Sequence, residues 1–305
     1  MQRPVVILLS TYEGAPFLRE QLASLIAQTH TDWMLYWRDD GSRDGSAAIM
    51  AEFSRTAGAG RCRAVEGGRH LGITASFLTL LRAAPPGHVV AFADQDDVWL
   101  PDKLARGLAG LGAPASARPA LYCARQVLTD GNLHSIGLSP AIRRLPSFPA
   151  SLTQNLATGC TVLLNPAAAA LVAGSRLPDN TLHDWWSYLL VGAADGALVV
   201  DPIAVVLYRQ HHRNAVGAPH STLRRGLMAL RRGPDSFMRL FRQHVAALLA
   251  QPAPLSPQAR ADLAIIAAAL DSDRLARLRA LLRLHALARR TWPETMLFRL
   301  WFLIG

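Results

Sequence analysis

Three carboxylates crowd into the four positions of "DQDD" (94–97), directly behind the apolar run "VVAFA". Ionised carboxylates repel one another, so the cluster needs a compensating charge. Hard divalent cations such as Mg2+ and Mn2+ prefer carboxylate oxygens and also bridge the oxygens of a diphosphate. The competing reading is a solvated turn before a helix, with Asp102 near the helix N-terminus. Three acids placed where a strand ends favour the metal. A second stretch, "WRDDGSRDG" (37–45), puts Asp39 at another strand end. An acid there can bond the donor edge of a base or the hydroxyls of a ribose, or simply form an Asp/Gly turn. In "HDWW" (183–186), Asp184 stands between His183 and two tryptophans, Trp185 and Trp186. A carboxylate against aromatic walls can have a raised pKa and act as a base, and aromatic faces suit sugar rings. The same letters also fit a helix start, with Asp184 on the dipole and the tryptophans in the core. In "YRQHHRN" (208–214), His211 or His212 could complete a metal site or touch phosphate, and Arg209 and Arg213 could contact phosphates. An ordinary loop would carry the same residues.

These groups need a scaffold, and the first half of the chain supplies an alternating one. "VVILLS" (5–10), "WMLYW" (33–37), "RCRAVE" (61–66) and "HVVAFA" (88–93) read as strands. Leu18, Leu22, Leu25 and Ile26 recur at helical spacing; "SAAIMAEF", "TASFLTLLRAA" and "DKLARGLAGL" read as further helices, the last behind Pro101. Strand and helix in alternation predict an α/β fold with a mainly parallel sheet, whose ligands sit beyond the carboxyl ends of the strands. Asp39 and Asp94 both fall at such ends. Further on, "ALYCARQVLT", "GCTVLLN", "ALVVD" and "AVVLYRQH" read as four more strands, and "HDWWSYLLVGAA" as a helix.

Composition bounds the rest. The chain has 305 residues, 50% hydrophobic and 18% charged, a globular composition. No apolar run reaches the roughly 18 residues that cross a bilayer, and "MQRPVVILLSTYEG" reads as a buried first strand, not a signal peptide. Cys62, Cys123 and Cys160 show no zinc or disulfide spacing and read as thiols in a reducing cytoplasm. The net charge of +10 is uneven: from residue 220 onward there are fourteen arginines and five acids, a net +9, which leaves +1 for the rest. Lys103 is the sole lysine. A near-neutral body with an arginine-rich, leucine-rich helical tail predicts an anionic partner for the tail, phospholipid headgroups or nucleic acid. A tail packed on the body with solvated arginines is the other possibility.

Taken in order, "STYEG" with "FLREQLASLIAQT", "DDGSRDG", "HLGITASF", "FADQDDVW", "TGCTVLLN", "HDWW" and "LYRQHHRNAVG" resemble the family 2 glycosyltransferases, and within them the bacterial rhamnosyltransferase-like branch. The resemblance covers about residues 4–218. It implies a GT-A fold, Rossmann-like with a mainly parallel central sheet flanked by helices, here with a C-terminal helical extension. The catalytic domain would be 1–219 and the basic extension 220–305. Thr11, Tyr12, Glu13 and Asp39 would hold the nucleotide. Asp94 and Asp96 would form the DxD pair, with Asp96 and His211 on a Mg2+ or Mn2+ ion and Asp94 on the ribose or diphosphate. Asp184 would be the general base of an inverting single displacement; Trp185, Trp186 and Gly159 would border the sugar or acceptor. Asp97 would brace the loop or the helix after Pro101. The donor implied is dTDP-L-rhamnose, with UDP-galactose, UDP-glucose or a UDP-N-acetylhexosamine as alternatives. The acceptor would be a glycan or lipid-linked glycan in surface-polysaccharide synthesis, made in the cytoplasm or at the inner face of the cell membrane. Two positions depart from the family pattern: Glu13 and His70 stand where asparagine is common, both near the donor nucleotide. A basic nucleic-acid-binding protein and a nonenzymatic scaffold are the readings of other classes. Neither accounts for Asp94, Asp96 and Asp184 together, and no nucleic-acid-binding module is recognised.

Overall fold

The apolar run of the first strand is buried on both sides, as a central parallel strand requires. A computed structural model describes residues 4–112, 117–142, 144–211, 222–252 and 254–305, with the backbone alone for 222–233. His212 and Arg213, and the side chains of Arg224, Arg225, Arg231 and Arg232, lie outside the described residues. In chain order the elements are β1 (Val5–Thr11), α1 (Ala15–Ile26), β2 (Trp33–Asp39), α2 (Ser46–Arg55), β3 (Cys62–Ala64), α3 (Ile73–Ala83), β4 (Val89–Ala93), β5 (Val98–Trp99), α4 (Lys103–Leu111), β6 (Ala120–Thr129), β7 (Ser135–Leu138), β8 (Leu163–Leu164), α5 (Pro166–Ala173), α6 (His183–Ala193), β9 (Ala197–Arg209), α7 (Thr222–Leu249), α8 (Pro257–Leu270), α9 (Arg274–Arg283) and α10 (Trp292–Ile304).

One sheet runs β3-β2-β1-β4-β8-β6-β9-β5, with β7 beside β6. Val5, Ile7 and Leu9 of β1 face α1, α2 and α4; Val6 and Leu8 face the core shared by α3, α5 and α6. The β1–β2 pairing sets Thr11 opposite Asp39, and the β1–β4 pairing sets Leu9 opposite Ala93. Three strands therefore end level, and Thr11, Asp39 and Asp94 emerge along one edge.

The parallel expectation holds for β3-β2-β1-β4; beyond β4 the sheet is mixed, since β8 runs antiparallel to both β4 and β6 while β6 and β9 are parallel. "ALVVD" and "AVVLYRQH" form one strand, not two. The ladder shifts register at Arg125, opposite the stretch holding Pro202, whose missing N–H cannot join a regular ladder. In "GCTVLLN" the first three residues turn as a 3-10 helix and only Leu163 and Leu164 pair. The short strands β5 and β7 carry too few residues to show an alternation.

The C-terminal helices share the core of the α/β half. Met238, Phe241, Val245 and Leu248 of α7 are buried in the same cluster as Trp185, Trp186 and Leu189 of α6 and Phe298 and Phe302 of α10. His244 of α7 bonds Thr181 at 2.8 Å and meets the Trp185 ring edge-on at 4.7 Å. Burial of apolar side chains at about 1.5–3 kcal/mol each makes these helices part of the folded unit. No helix among the described residues is long and apolar enough to cross a membrane.

Candidate active site

At the carboxyl edge of the sheet, side chains first build the loops. Thr11 Oγ1 donates to Asp39 Oδ1 at 3.1 Å, and Asp39 Oδ2 accepts from the N–H groups of Gly41 and Ser42. Glu13, at a positive φ of 51°, accepts from the Arg43 N–H at 2.7 Å. Gln95, from the middle of "DQDD", clamps β1 to β4: its amide accepts from the Tyr12 N–H and donates to the Tyr12 carbonyl, both at 2.8 Å. A Cβ on Gly14 would lie 2.1 Å from Gln95 Oε1, so a larger residue there would displace the glutamine clamp.

Beneath this layer Arg38 and Asp40 form a buried ion pair. Asp40 also accepts from the N–H groups of Leu71 and Gly72 at 2.8 and 2.9 Å, and Arg38 donates to Ser76 Oγ and the Arg69 carbonyl. The pair thus anchors the loop that presents His70. Removing one partner of a buried pair leaves an uncompensated charge, so Arg38→Met should cost about 3–5 kcal/mol in chemical denaturation. A loss under 1 kcal/mol would show that the pair does not hold the loop.

The edge opens on a cavity of about 550 Å³. Asp94, Gln95 and Asp96 line one part, Asp184 with Asn155 and Gly159 another, and Tyr12, Asp40 and His70 a third. Tyr12 and His70 touch, with ring centroids 4.5 Å apart. Thr11, Glu13 and Asp39 sit behind this wall, binding the loops to each other. Trp185 reaches the cavity and donates from its indole to the Ser151 carbonyl at 2.9 Å. Trp186 does not: its ring is buried in the core and its indole donates to Ser175 Oγ. It sits one position on along α6 and so on another face of the helix.

Asp184 is buried and fully engaged. Oδ1 accepts from Asn155 Nδ2 at 3.0 Å and the Trp185 N–H at 2.6 Å; Oδ2 accepts from the Gly159 N–H at 2.9 Å. Burial nonetheless raises its pKa to about 6, against the lowering effect of those bonds. Asp94 is raised to about 7 by burial, then by the charges of Asp96 and Asp184, with Lys103 opposing. Asp97 is buried below, accepts the Arg209 N–H at 3.1 Å, and is pushed well up by burial, then by the charges of Asp96 and Asp94. Lys103, also buried, lies with Nζ 2.9 Å from the Trp99 ring centroid, and burial pushes its pKa well down. Each drifts toward its neutral form, although the attraction between them works the other way.

His211 Nε2 lies 2.8 Å from Asp96 Oδ2, and the imidazole stacks on Phe17 at 4.6 Å. Asp96 on the cavity wall and the imidazole bonded to it form a donor set suited to Mg2+ or Mn2+. The ligand atoms of Asp94, Asp97 and Cys160 also gather within 4.8 Å of one another. That second group fits a hard ion less well, because Cys160 is buried and burial holds its thiol protonated. Arg209 is not free for phosphate: its guanidinium is buried, donates to the Asp96 carbonyl at 2.8 Å, pairs with Glu20 and lies over Phe17. It braces the acidic loop from behind. Asn155, Arg125, Tyr208 and Arg290 also line the cavity. Only Tyr208 falls inside a stretch singled out from the sequence; residue 290 joins the wall only because the extension folds back.

The arrangement can hold an anionic ligand near a cation and accept a proton within the same cavity. Residues 6–161 match the model of the family described as Glycosyl transferase family 2. The chain is similar to the dTDP-rhamnosyl transferase RfbG of Shigella flexneri, 26% identical over 69% of this chain and 74% of that protein. In fold it is similar to the Staphylococcus aureus protein TarS in complex with UDP-GlcNAc, with a TM-score of 0.60 at 14% identity over 87% of this chain and 71% of that one. It is also similar to the mannosyltransferase PcManGT of Pyrobaculum calidifontis in complex with GDP-Man and Mn2+, with a TM-score of 0.55 at 18% identity over 98% and 84% of the two chains. The chain belongs to glycosyltransferase family 2, with a GT-A fold, and is an enzyme that transfers a sugar from a nucleotide-sugar donor.

Proposed function

We propose that this enzyme moves L-rhamnose from dTDP-L-rhamnose onto a hydroxyl of a glycan or lipid-linked glycan, with inversion at the anomeric carbon. The observation that carries the reading is one cavity lined by Asp94, Asp96 and Asp184 together. The rhamnose donor is supported by the similarity to RfbG. Asp96 and His211 would hold a Mg2+ or Mn2+ ion, which when bound offsets charge on the leaving diphosphate. Asp94 faces the ribose or diphosphate, and Thr11, Tyr12, Glu13 and Asp39 shape the nucleotide end. Asp184, oriented by Asn155 and Gly159, takes the proton of the acceptor hydroxyl as its oxygen bonds the anomeric carbon. The bond from that carbon to the diphosphate breaks, and the nucleoside diphosphate leaves with the electron pair. Trp185 offers an aromatic face beside this point.

The test is a screen of nucleotide sugars with nucleoside diphosphate release as readout, with and without Mn2+ or Mg2+. Release from dTDP-L-rhamnose at least about tenfold faster than from UDP-glucose, UDP-galactose or UDP-GlcNAc, a gap of about 1.4 kcal/mol in transition-state binding, is the expected result. Preference for a UDP sugar would replace the donor, and Glu13 and His70 would be the residues to examine.

The extension supports a peripheral contact with anionic membrane. Leu275, Leu278 and Leu282 of α9 are exposed along one face, between exposed Arg274, Arg279 and Arg283. Apolar side chains flanked by arginines suit a headgroup interface. Sedimentation with vesicles rich in phosphatidylglycerol should carry the protein down, and Leu278→Glu should release most of it. Equal sedimentation of both proteins would end the membrane reading.

A further inference from the structure

The C-terminal helices bring to the cavity a cation that the mechanism does not use. Arg290, between α9 and α10, lines the cavity and is exposed. It makes no hydrogen bond and no ion pair among the described residues. The acids of the same wall have other partners: Asp40 pairs with Arg38, Asp96 bonds His211, and Asp184 accepts from Asn155, Gly159 and the Trp185 N–H. Arg125, another arginine of the wall, spends Nε and Nη2 on the Ser139 carbonyl, at 3.0 and 2.7 Å.

The backbone leading to Arg290 is pinned. The Ala288 carbonyl accepts from Thr153 Oγ1 at 3.0 Å, and the Arg289 N–H donates to Thr295 Oγ1 at 3.0 Å. The Arg289 guanidinium lies over the Phe237 ring at 5.6 Å, so the first arginine of the pair braces the helices and the second is left for the cavity. A backbone fixed in advance lowers the ordering cost of binding. The Thr153 bond also ties this segment to the base. Thr153 stands two residues before Asn155, which donates to Asp184, and Trp185 donates to the carbonyl of nearby Ser151.

We propose that Arg290 binds a phosphate carried by the acceptor. This rests on the reading above, in which Asp184 takes the acceptor's proton and the donor's diphosphate is met by Asp94, Asp96 and the cation. A guanidinium tied to the base segment and unpaired within the protein has its charge free for a ligand. Its fork of N–H donors matches the oxygens of a phosphate. Leu128, Ile142 and Leu156 line the same cavity, an apolar wall for a chain attached to that phosphate. α9, with its exposed Leu275, Leu278 and Leu282, leads directly into the segment that bears Arg290. A phosphate that joins a glycan to a lipid carrier has both the charge and the apolar part that these residues match.

The test compares wild type, Arg290→Gln and Arg290→Lys by calorimetry. The full chain is saturated with Mn2+ and dTDP, or with the nucleoside diphosphate of whichever donor the wild type turns over. The probes are decyl phosphate, N-acetylglucosamine 1-phosphate and the uncharged decyl glucoside. At least one phosphate probe should bind wild type about tenfold or more tighter than decyl glucoside, and Arg290→Gln should weaken that probe about tenfold, the scale of one lost charge-assisted hydrogen bond. Arg290→Lys, which keeps the charge, should recover part of the loss. Both variants should bind the nucleoside diphosphate within about twofold of wild type and melt within about 1 °C of it, as an exposed arginine without partners requires. Binding of decyl phosphate supports the proposal with the phosphate on a lipid carrier; binding of the sugar phosphate alone supports it with the phosphate on the glycan. Phosphate probes no tighter than decyl glucoside, a phosphate probe unaffected by Arg290→Gln, or equal weakening of the nucleoside diphosphate would overturn it. Failure of the underlying reading would show separately, as absent donor-dependent diphosphate release by the wild type.

Discussion

Replacing Asp184 with asparagine is expected to lower kcat by about 10²- to 10⁴-fold, the usual worth of a positioned general base, while donor affinity stays near wild type. The Asp184 carboxylate bonds Asn155, Gly159 and the Trp185 N–H and makes no hydrogen bond to Asp94, Asp96 or His211, so the asparagine change leaves those groups in place. The pH profile of the wild type gives an independent check. A base works ionised, and burial raises Asp184 to about 6. The rate should therefore fall as pH drops through 6 and level off above it. Stability runs in the opposite sense. A carboxyl whose folded pKa is raised binds its proton more tightly in the folded state, so its contribution is fullest below the unfolded value of 3.8 and is lost as pH rises through about 6. Asp184→Asn relieves that cost at pH 8, although one of the three donors now aimed at the carboxylate would meet an amide NH2. The two effects oppose each other, and the melting temperature should move little. A variant within threefold of wild-type kcat, or a profile flat through pH 6, would remove Asp184 from the mechanism.

Asp96→Asn should have the second large effect. Losing a metal-binding carboxylate is expected to weaken Mn2+ by at least about 100-fold, the upper end of what loss of an outer-shell partner costs, and turnover should fall in step. Free Mn2+ can be followed by its electron paramagnetic resonance signal, which separates metal loss from loss of chemistry. His211→Ala should show the same pattern with a smaller change, since imidazole contributes no negative charge. The fold should survive both changes, because Arg209 still braces the loop through the Asp96 carbonyl and the Asp97 carboxylate. Unaltered Mn2+ binding in Asp96→Asn would exclude it as a ligand.

Arg209 and Trp186 mark where reading letters in order falls short. Arg209 follows a strand and sits beside His211, as a phosphate ligand would, yet it faces inward to Glu20 and Phe17. Trp186 adjoins Asp184 in sequence, but helical geometry turns it to the core. Both depend on direction, which residue type does not encode. Asn155 and Arg290 are the opposite case. Nothing near them in the chain announces a site, and they join it because a loop and the returning C-terminal helices close over the cavity.

What the chain determines locally is the framework. Short continuous apolar runs, helices with a period near four, and acids directly behind strands specify an α/β sheet with Asp39 and Asp94 at its carboxyl edge, because each of those signals arises among residues a few positions apart. The family motifs mark Asp96, Asp184 and His211 in the same way. Only the tertiary structure decides how those acids share one environment. It places Asp94 near Asp184, raises both carboxyls by burying them, seals Arg38 against Asp40, and leaves His183 unpaired beside Gly159. Burial and distance are sums over the whole fold, so no short stretch contains them.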